Sequence, residues 1–250
     1  MTRDWDAAAY DRIADPQTGW GHSVLDRLAL AGDERVLDAG SGSGRVTERL
    51  AERLPSGHVV ALDGSAAMIA AARERLARFG DRISYLVADL GAPLPVHPPV
   101  DAVLSTATFH WVPNHDALFR HLAAILRPGG QLVAQFGGQG NVARVLAVLA
   151  TVGDGWLGPA HFESVAATRD RLEAAGFVDV EAWLNDESTT FEVGAPFVQF
   201  LETVVLGPHL DRLPAPERRP FAEEVARRLG RPELDYVRLN VVARRGARAR

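Results

Sequence analysis

The chain has 250 residues, 47% of them apolar, and a formal net charge of −5. The acidic balance argues against nucleic acid as a main partner, and no apolar run approaches the ~18 residues of a membrane span. There is no cysteine and no lysine, all 27 basic residues being arginine, which excludes disulfides, thiolate nucleophiles, a Walker-type lysine and a Schiff-base lysine.

In chain order, "MTRDWDAAAYDR" is polar and lacks the apolar core of a signal peptide, so a cytoplasmic protein is expected. Residues 1–30 read as helices ahead of a sheet. Short apolar, β-branched runs then alternate with helical patterns, the signature of an α/β fold with a parallel sheet. The expected strands are 35–40, 58–63, 83–89, 100–108, 130–136, 178–184 and 237–245. The expected helices are 44–54, 65–80 with Ser65 as N-cap, 114–130 with Asn114 as N-cap, and 162–177. Residues 194–232 read as a helical insertion broken by Pro208, Pro214, Pro216 and Pro220. It and residues 1–30 are lid candidates over the carboxyl ends of the strands, where open α/β sheets bind ligands. The expected organisation is one domain, with a core at 31–193 and 233–245.

The first strand ends in "VLDAGSGSGRVT", residues 36–47. Gly40, Gly42 and Gly44 bare the backbone at a helix N-terminus. The dinucleotide pattern G-x-G-x-x-G fails in both registers, at Arg45 and at Thr47. Asp38 would repel a pyrophosphate and suits a ligand with a cationic amino-acid end. Asp63, ending the second strand, can accept from ribose hydroxyls. Asp89, ending the third, meets an adenine edge together with the Leu90 backbone, and Met68 packs on the base.

The motifs "VLDAGSGSGRVT", "VVALDGSAAMI", "YLVADL", "DAVLSTATFHWV" and "ILRPGGQLVAQF" resemble those of class I S-adenosylmethionine (SAM) dependent methyltransferases. Within that superfamily, "WDAAAYDR", "FHWVPNHDALFRHLAAILRPGG" and "LDYVRLNVVARR" most resemble the small-molecule group that includes trans-aconitate methyltransferase and the methyltransferase of biotin synthesis. One departure is Ser41, where the family commonly has cysteine. The resemblance implies a Rossmann-like seven-stranded sheet with its last strand antiparallel, and SAM as cofactor. It implies that Asp38, Gly40, Ser41, Gly42 and Gly44 hold the methionine end and that Asp63, with Gly64, holds the ribose. Asp89, Leu90 and Met68 would hold the adenine, with Thr106 nearby, and Tyr10 and Trp20 would fold over the cofactor.

The expected reaction is methyl transfer to a small molecule, more to oxygen than to nitrogen or carbon. The alternatives are an NAD(P)-dependent oxidoreductase and a non-catalytic SAM-binding protein. His110, after the fourth strand, is the candidate base or acceptor-positioning group. His110 and His115 lack a third ligand, so no metal is expected. Acceptor selectivity is assigned to 137–161 and 194–232, with Arg144, Arg212, Arg218 and Arg219 available to an acidic substrate. A monomer or homodimer without membrane contact is expected.

Overall fold

A computed structural model describes residues 15–247. Tyr10 therefore lies outside the described residues. Strand β1 (Arg35–Ala39) is followed by α2 (Arg45–Glu52), β2 (His58–Asp63), α3 (Ala66–Arg75) and β3 (Ile83–Val87), and α1 (Asp15–Leu25) precedes them. Then come β4 (Val100–Thr106), α4 (His115–Ile125), β5 (Leu126–Gly137), α5 (Ala143–Leu149), α6 (Val165–Ala174) and β6 (Phe177–Asp186). The short strands β7 (Thr189–Thr190) and β8 (Glu233–Leu234) flank an insertion. It comprises α7 (Ala195–Phe200), a π-turn at Leu201–Val205, α8 (Gly207–Leu210) and α9 (Ala215–Leu229). The chain returns through β9 (Val237–Arg245).

Seven strands form one sheet in the order β3-β2-β1-β4-β5-β9-β6. The pairs from β3 to β5 are parallel, and β9 runs antiparallel to both β5 and β6. This is the expected Rossmann-like α/β fold. Its order reverses between β1 and β4, so their carboxyl ends flank the crevice where such sheets take ligands.

Both sheet faces are covered, which is why the strands read as continuous apolar runs. Val36, Val59 and Leu104 pack with Leu25, Leu50 and Leu76 on one face. Leu37, Val60 and Val103 pack with Leu118, Leu122 and Leu172 on the other. A third cluster joins α5, α7 and α9 through Val145, Leu149, Phe200 and Val225, and it carries the insertion.

Ser65 and Asn114 cap α3 and α4 by accepting from the Met68 and Ala117 N–H groups. Several boundaries differ from expectation, and β5 begins at Leu126, taking 126–130 from the expected helix 114–130. Strand β3 stops at Val87, so Asp89 stands in the following turn, where its Oδ1 accepts from Gly91 N at 2.8 Å. Pro220 does not break α9; Pro214 caps it instead, and Pro220 sits inside. The described part of the first lid candidate, α1, packs against α2, β4 and β5 on a sheet face, with Val24 and Leu25 buried there.

The candidate active site

Gly40, Gly42 and Gly44 have φ of +86°, +53° and +87°, and their neighbours differ. A Cβ on Gly40 would lie 2.1 Å from Thr108 Oγ1, and one on Gly44 would lie 3.0 Å from Leu76 Cδ1. A Cβ on Gly42 would meet nothing within 4 Å. Gly40 therefore permits the β1 and β4 loops to touch, and Gly44 seats the start of α2 on α3. Gly42 leaves a strip of backbone open to a ligand.

Asp38 lies beneath this turn, 1% exposed. Its Oδ2 accepts from Thr47 Oγ1 at 2.6 Å, and among the described residues its buried Oδ1 has no hydrogen-bond partner. Burial pushes its carboxyl up to about 7, the Thr47 hydrogen bond opposes the rise, and the charge of Asp63 adds to it. Asp63 accepts from Gly42 N and Ser65 N, each at 2.9 Å. Burial raises its pKa, with those backbone donors opposing the rise. Two N–H bonds leave a carboxylate with acceptor capacity for hydroxyls.

A cavity of about 980 Å³ opens above these groups. That is the upper end of the usual ~300–1,000 Å³ for ligand sites and leaves room for two small ligands side by side. Its floor is formed by Gly40, Gly42, Asp63, Gly64, Met68 and Thr106, with Asp89 and Leu90 at one side. Asp38, Ser41, Gly44 and Trp20 stand outside this lining. Asp38, Ser41 and Gly44 are underneath or behind the turn. Trp20 lies under a guanidinium, Arg238 Cζ being 4.9 Å from its ring centroid, and meets Tyr236 edge-on at 5.1 Å. One face of its ring is therefore covered by protein.

The other half of the cavity carries His110 and Arg238. His110, 7% exposed, sits on a single 3₁₀ turn after β4. His115 Nε2 bonds the Phe109 carbonyl at 2.9 Å and steadies that turn. The His110 ring stacks on Phe162, and its Nδ1 accepts from Gly137 N at 3.3 Å. An accepting nitrogen carries no proton, so the neutral ring holds its proton on Nε2. Burial drives the pKa well below the usual histidine range, and the charges of Arg238 and His115 lower it further. His110 is thus built as an uncharged donor, and the nitrogen a base would use is already engaged.

Arg238 is 3% exposed and pairs with Gly137 in the β5–β9 register. Two residues on, the Asn240 side chain accepts from Gln135 Nε2 at 2.9 Å and from Arg27 Nη1 at 2.6 Å, which pins the register that aims Arg238. Sequence reasoning missed Arg238. The available signal was a charge and an amide at alternating positions of an otherwise apolar strand. The four arginines chosen instead are engaged elsewhere. Arg144 bonds the Leu229 and Glu233 carbonyls, Arg212 pairs with Asp154, Arg218 bonds the Leu213 carbonyl, and Arg219 pairs with Glu202 and Glu223.

Among the described residues no group of three or more His, Cys, Asp or Glu is placed to hold a metal ion, and no helix is long and apolar enough to cross a membrane. The buried, unpartnered Asp38 Oδ1, the open Gly42 backbone and the acid at Asp63 form a donor set that fits SAM: a cationic amino group, a close approach and ribose hydroxyls.

A methyltransferase-domain model matches residues 36–130. The chain is similar to trans-aconitate 2-methyltransferase of Methylobacterium nodulans, 32% identical over 97% of this chain and 98% of the relative. It is similar also to that of Variovorax paradoxus, 31% identical over 98% and 99%. Among solved structures, Haemonchus contortus phosphoethanolamine N-methyltransferase 2 in complex with S-adenosyl-L-methionine superposes with a TM-score of 0.64 at 19% identity, covering 96% of this chain and 57% of that one.

Proposed function

This chain belongs to the class I SAM-dependent methyltransferases, and on that premise we propose that it transfers the methyl group to a carboxylate oxygen of a small organic acid. The observation that carries this is Arg238, a guanidinium buried at the cavity wall. A guanidinium at the wall can match a carboxylate with two parallel, charge-assisted bonds. The Nε2–H of His110 adds a neutral donor beside it. The oxidoreductase alternative finds no support in the glycine spacing or in the relatives, and the acid named by the relatives is in keeping with this reading.

When bound, SAM supplies a methyl on a positively charged sulfur; a carboxylate oxygen takes it as the C–S bond breaks, the bond pair stays on sulfur, and no proton is released. A base is then unnecessary, in accord with the occupied Nδ1 of His110. The chain's task is alignment in a dry site. In this reading Gly42 and Asp63 seat the donor, Asp89, Leu90 and Met68 flank its base, and Asp38 acts from behind the turn as the countercharge for its amino group. Arg238 and His110 orient the acceptor oxygen.

The test is a panel of acids, alcohols and amines with matched carbon skeletons, incubated with protein and SAM and followed by S-adenosylhomocysteine release and product mass. Methyl esters cleaved by mild alkali are expected from the acids alone. Methylation confined to the amines or the alcohols would overturn the proposal.

A further inference from the structure

The turn after β5, "GGQGN" at 137–141, places a polar side chain that the reaction described above does not use. Asn141 is 4% exposed and lines the cavity. The start of β9 fixes which way its amide faces. Val237 N donates to Asn141 Oδ1 at 3.0 Å, and Gly138 N donates to the Val237 carbonyl at 3.0 Å. With Oδ1 engaged, the other end of the amide is Nδ2, which can only donate. Among the described residues Nδ2 makes no hydrogen bond, yet it is not one of the buried side-chain atoms closed off without a partner. It therefore opens to the cavity. The same holds for His110 Nε2.

Gly137 brings these two donors together. Its N–H donates to His110 Nδ1 at 3.3 Å, and a Cβ on it would stand 2.9 Å from Asn141 Nδ2 and 2.7 Å from Phe162 Cε1. Phe162 in turn stacks on the His110 ring. A bare Cα at 137 is what lets the amide close up beside the imidazole. Two uncharged N–H donors thus flank one strand end, each with its other polar atom tied to backbone.

Resting on the carboxylate reading above, we propose that Asn141 is an acceptor-binding residue, its Nδ2–H and the Nε2–H of His110 together gripping the acceptor's carboxylate. Neutral donors suit the reaction. As the methyl arrives, the carboxylate loses its charge and becomes an ester, a weaker hydrogen-bond acceptor. The two donors therefore hold the substrate more firmly than the transition state or the product. Their removal raises KM and leaves kcat nearly as it was.

For the experiment, trans-aconitate, citrate, hexanoate and benzoate join the acids of the panel above, and the acid that wild type turns over fastest at saturating SAM is used with the variants. Asn141→Asp is assayed at about pH 8.5, with its carboxyl ionised. It keeps an oxygen for Val237 N and exchanges the donor for a repelling oxygen. KM for the acid rises about thirtyfold or more, kcat stays within about threefold, and Tm and S-adenosylhomocysteine affinity change little. Asn141→Leu also loses the Val237 bond, so its Tm falls, yet its KM rises only about tenfold because nothing repels the acid. A residue that merely braces β9 gives the opposite order, with Asn141→Asp like wild type and Asn141→Leu impaired. That order, or a loss of kcat at unchanged KM, overturns the inference and leaves the carboxylate reading standing. If wild type methylates no acid, both fall.

Discussion

On the floor of the cavity, the Gly42 to Asp63 hydrogen bond closes over 21 residues of sequence. On the opposite wall, the Asn141 side chain holds the start of β9 across 96 residues, and Arg144 N reaches Asp235 across 91. The floor is shaped by the βα turns after β1 and β2, with the loop after β4 packed on Gly40. The acceptor wall exists only when α5, the insertion and β9 have come together. The first arrangement makes a site set by the parallel strands β1, β2 and β4 and the turns that follow them. The second makes one whose shape can vary with the packing of a few helices, which suits a fold that keeps its methyl donor and changes its acceptor.

Substitutions can break that comparison. The largest effect is expected for Gly40→Ala, where the new Cβ meets Thr108 at 2.1 Å in a backbone region that disfavours side chains. Calorimetry should register a loss of S-adenosylhomocysteine affinity of about a hundredfold or more, with a lowered Tm. Gly42→Ala, with open space around its Cβ, should cost only about 1 kcal/mol of stability yet still weaken cofactor binding. If Gly42→Ala binds as wild type does, the ligand does not approach that backbone.

Next in size is Arg238→Gln. Losing a charge-assisted pair of about 2 kcal/mol raises KM for the acid roughly thirtyfold. KM for SAM should stay within about twofold, since the floor does not depend on β9. A comparable rise in both constants would mean that the two regions are not separable.

The Asp38 carboxyl gives a pH-dependent outcome. Its native pKa of about 7 lies above the ordinary 3.8, so the native state holds the proton longer than the unfolded chain. Stability from this group is present at low pH and is lost as pH rises from about 4 through about 7. Melting curves at pH 5 and pH 8 should show a Tm drop in wild type that shrinks in Asp38→Asn. Cofactor binding should release a proton near pH 6.5, read by calorimetry in buffers of different ionisation enthalpy; no buffer dependence would contradict the countercharge role.

The smallest effect is expected at His110. A donor without base function predicts a kcat that is flat from about pH 6 to 9 and falls only about three- to tenfold in His110→Gln. A loss of about a hundredfold or more, with a titration near neutrality in wild type, would restore the base.

These effects follow how each region could be read. The strands, their order of use and the caps at Ser65 and Asn114 were legible because they depend on nearest-neighbour chemistry: apolar runs, turn glycines and side chains that accept from the third residue on. The acids at 63 and 89 were legible for the same reason. Which glycine faces the ligand was not, because Gly40, Gly42 and Gly44 look alike until Thr108 and Leu76 fold against two of them. The partner of the Trp20 ring was not legible, because it comes from a residue more than two hundred positions away. Arg238 was overlooked among many arginines, since only the β9 register distinguishes it from those that pair on the surface.

The placement of β9 has one more consequence. It enters the sheet between β5 and β6, both of which are made before it. A nascent chain that has emerged as far as β6 can already build the donor floor, yet β5 and β6 each lack the strand that joins them. The step that closes those two open edges, and so ends the period of greatest exposure to mispairing, is the same step that delivers Arg238. In such an order of assembly, a molecule able to grip its acceptor is one that has already finished folding.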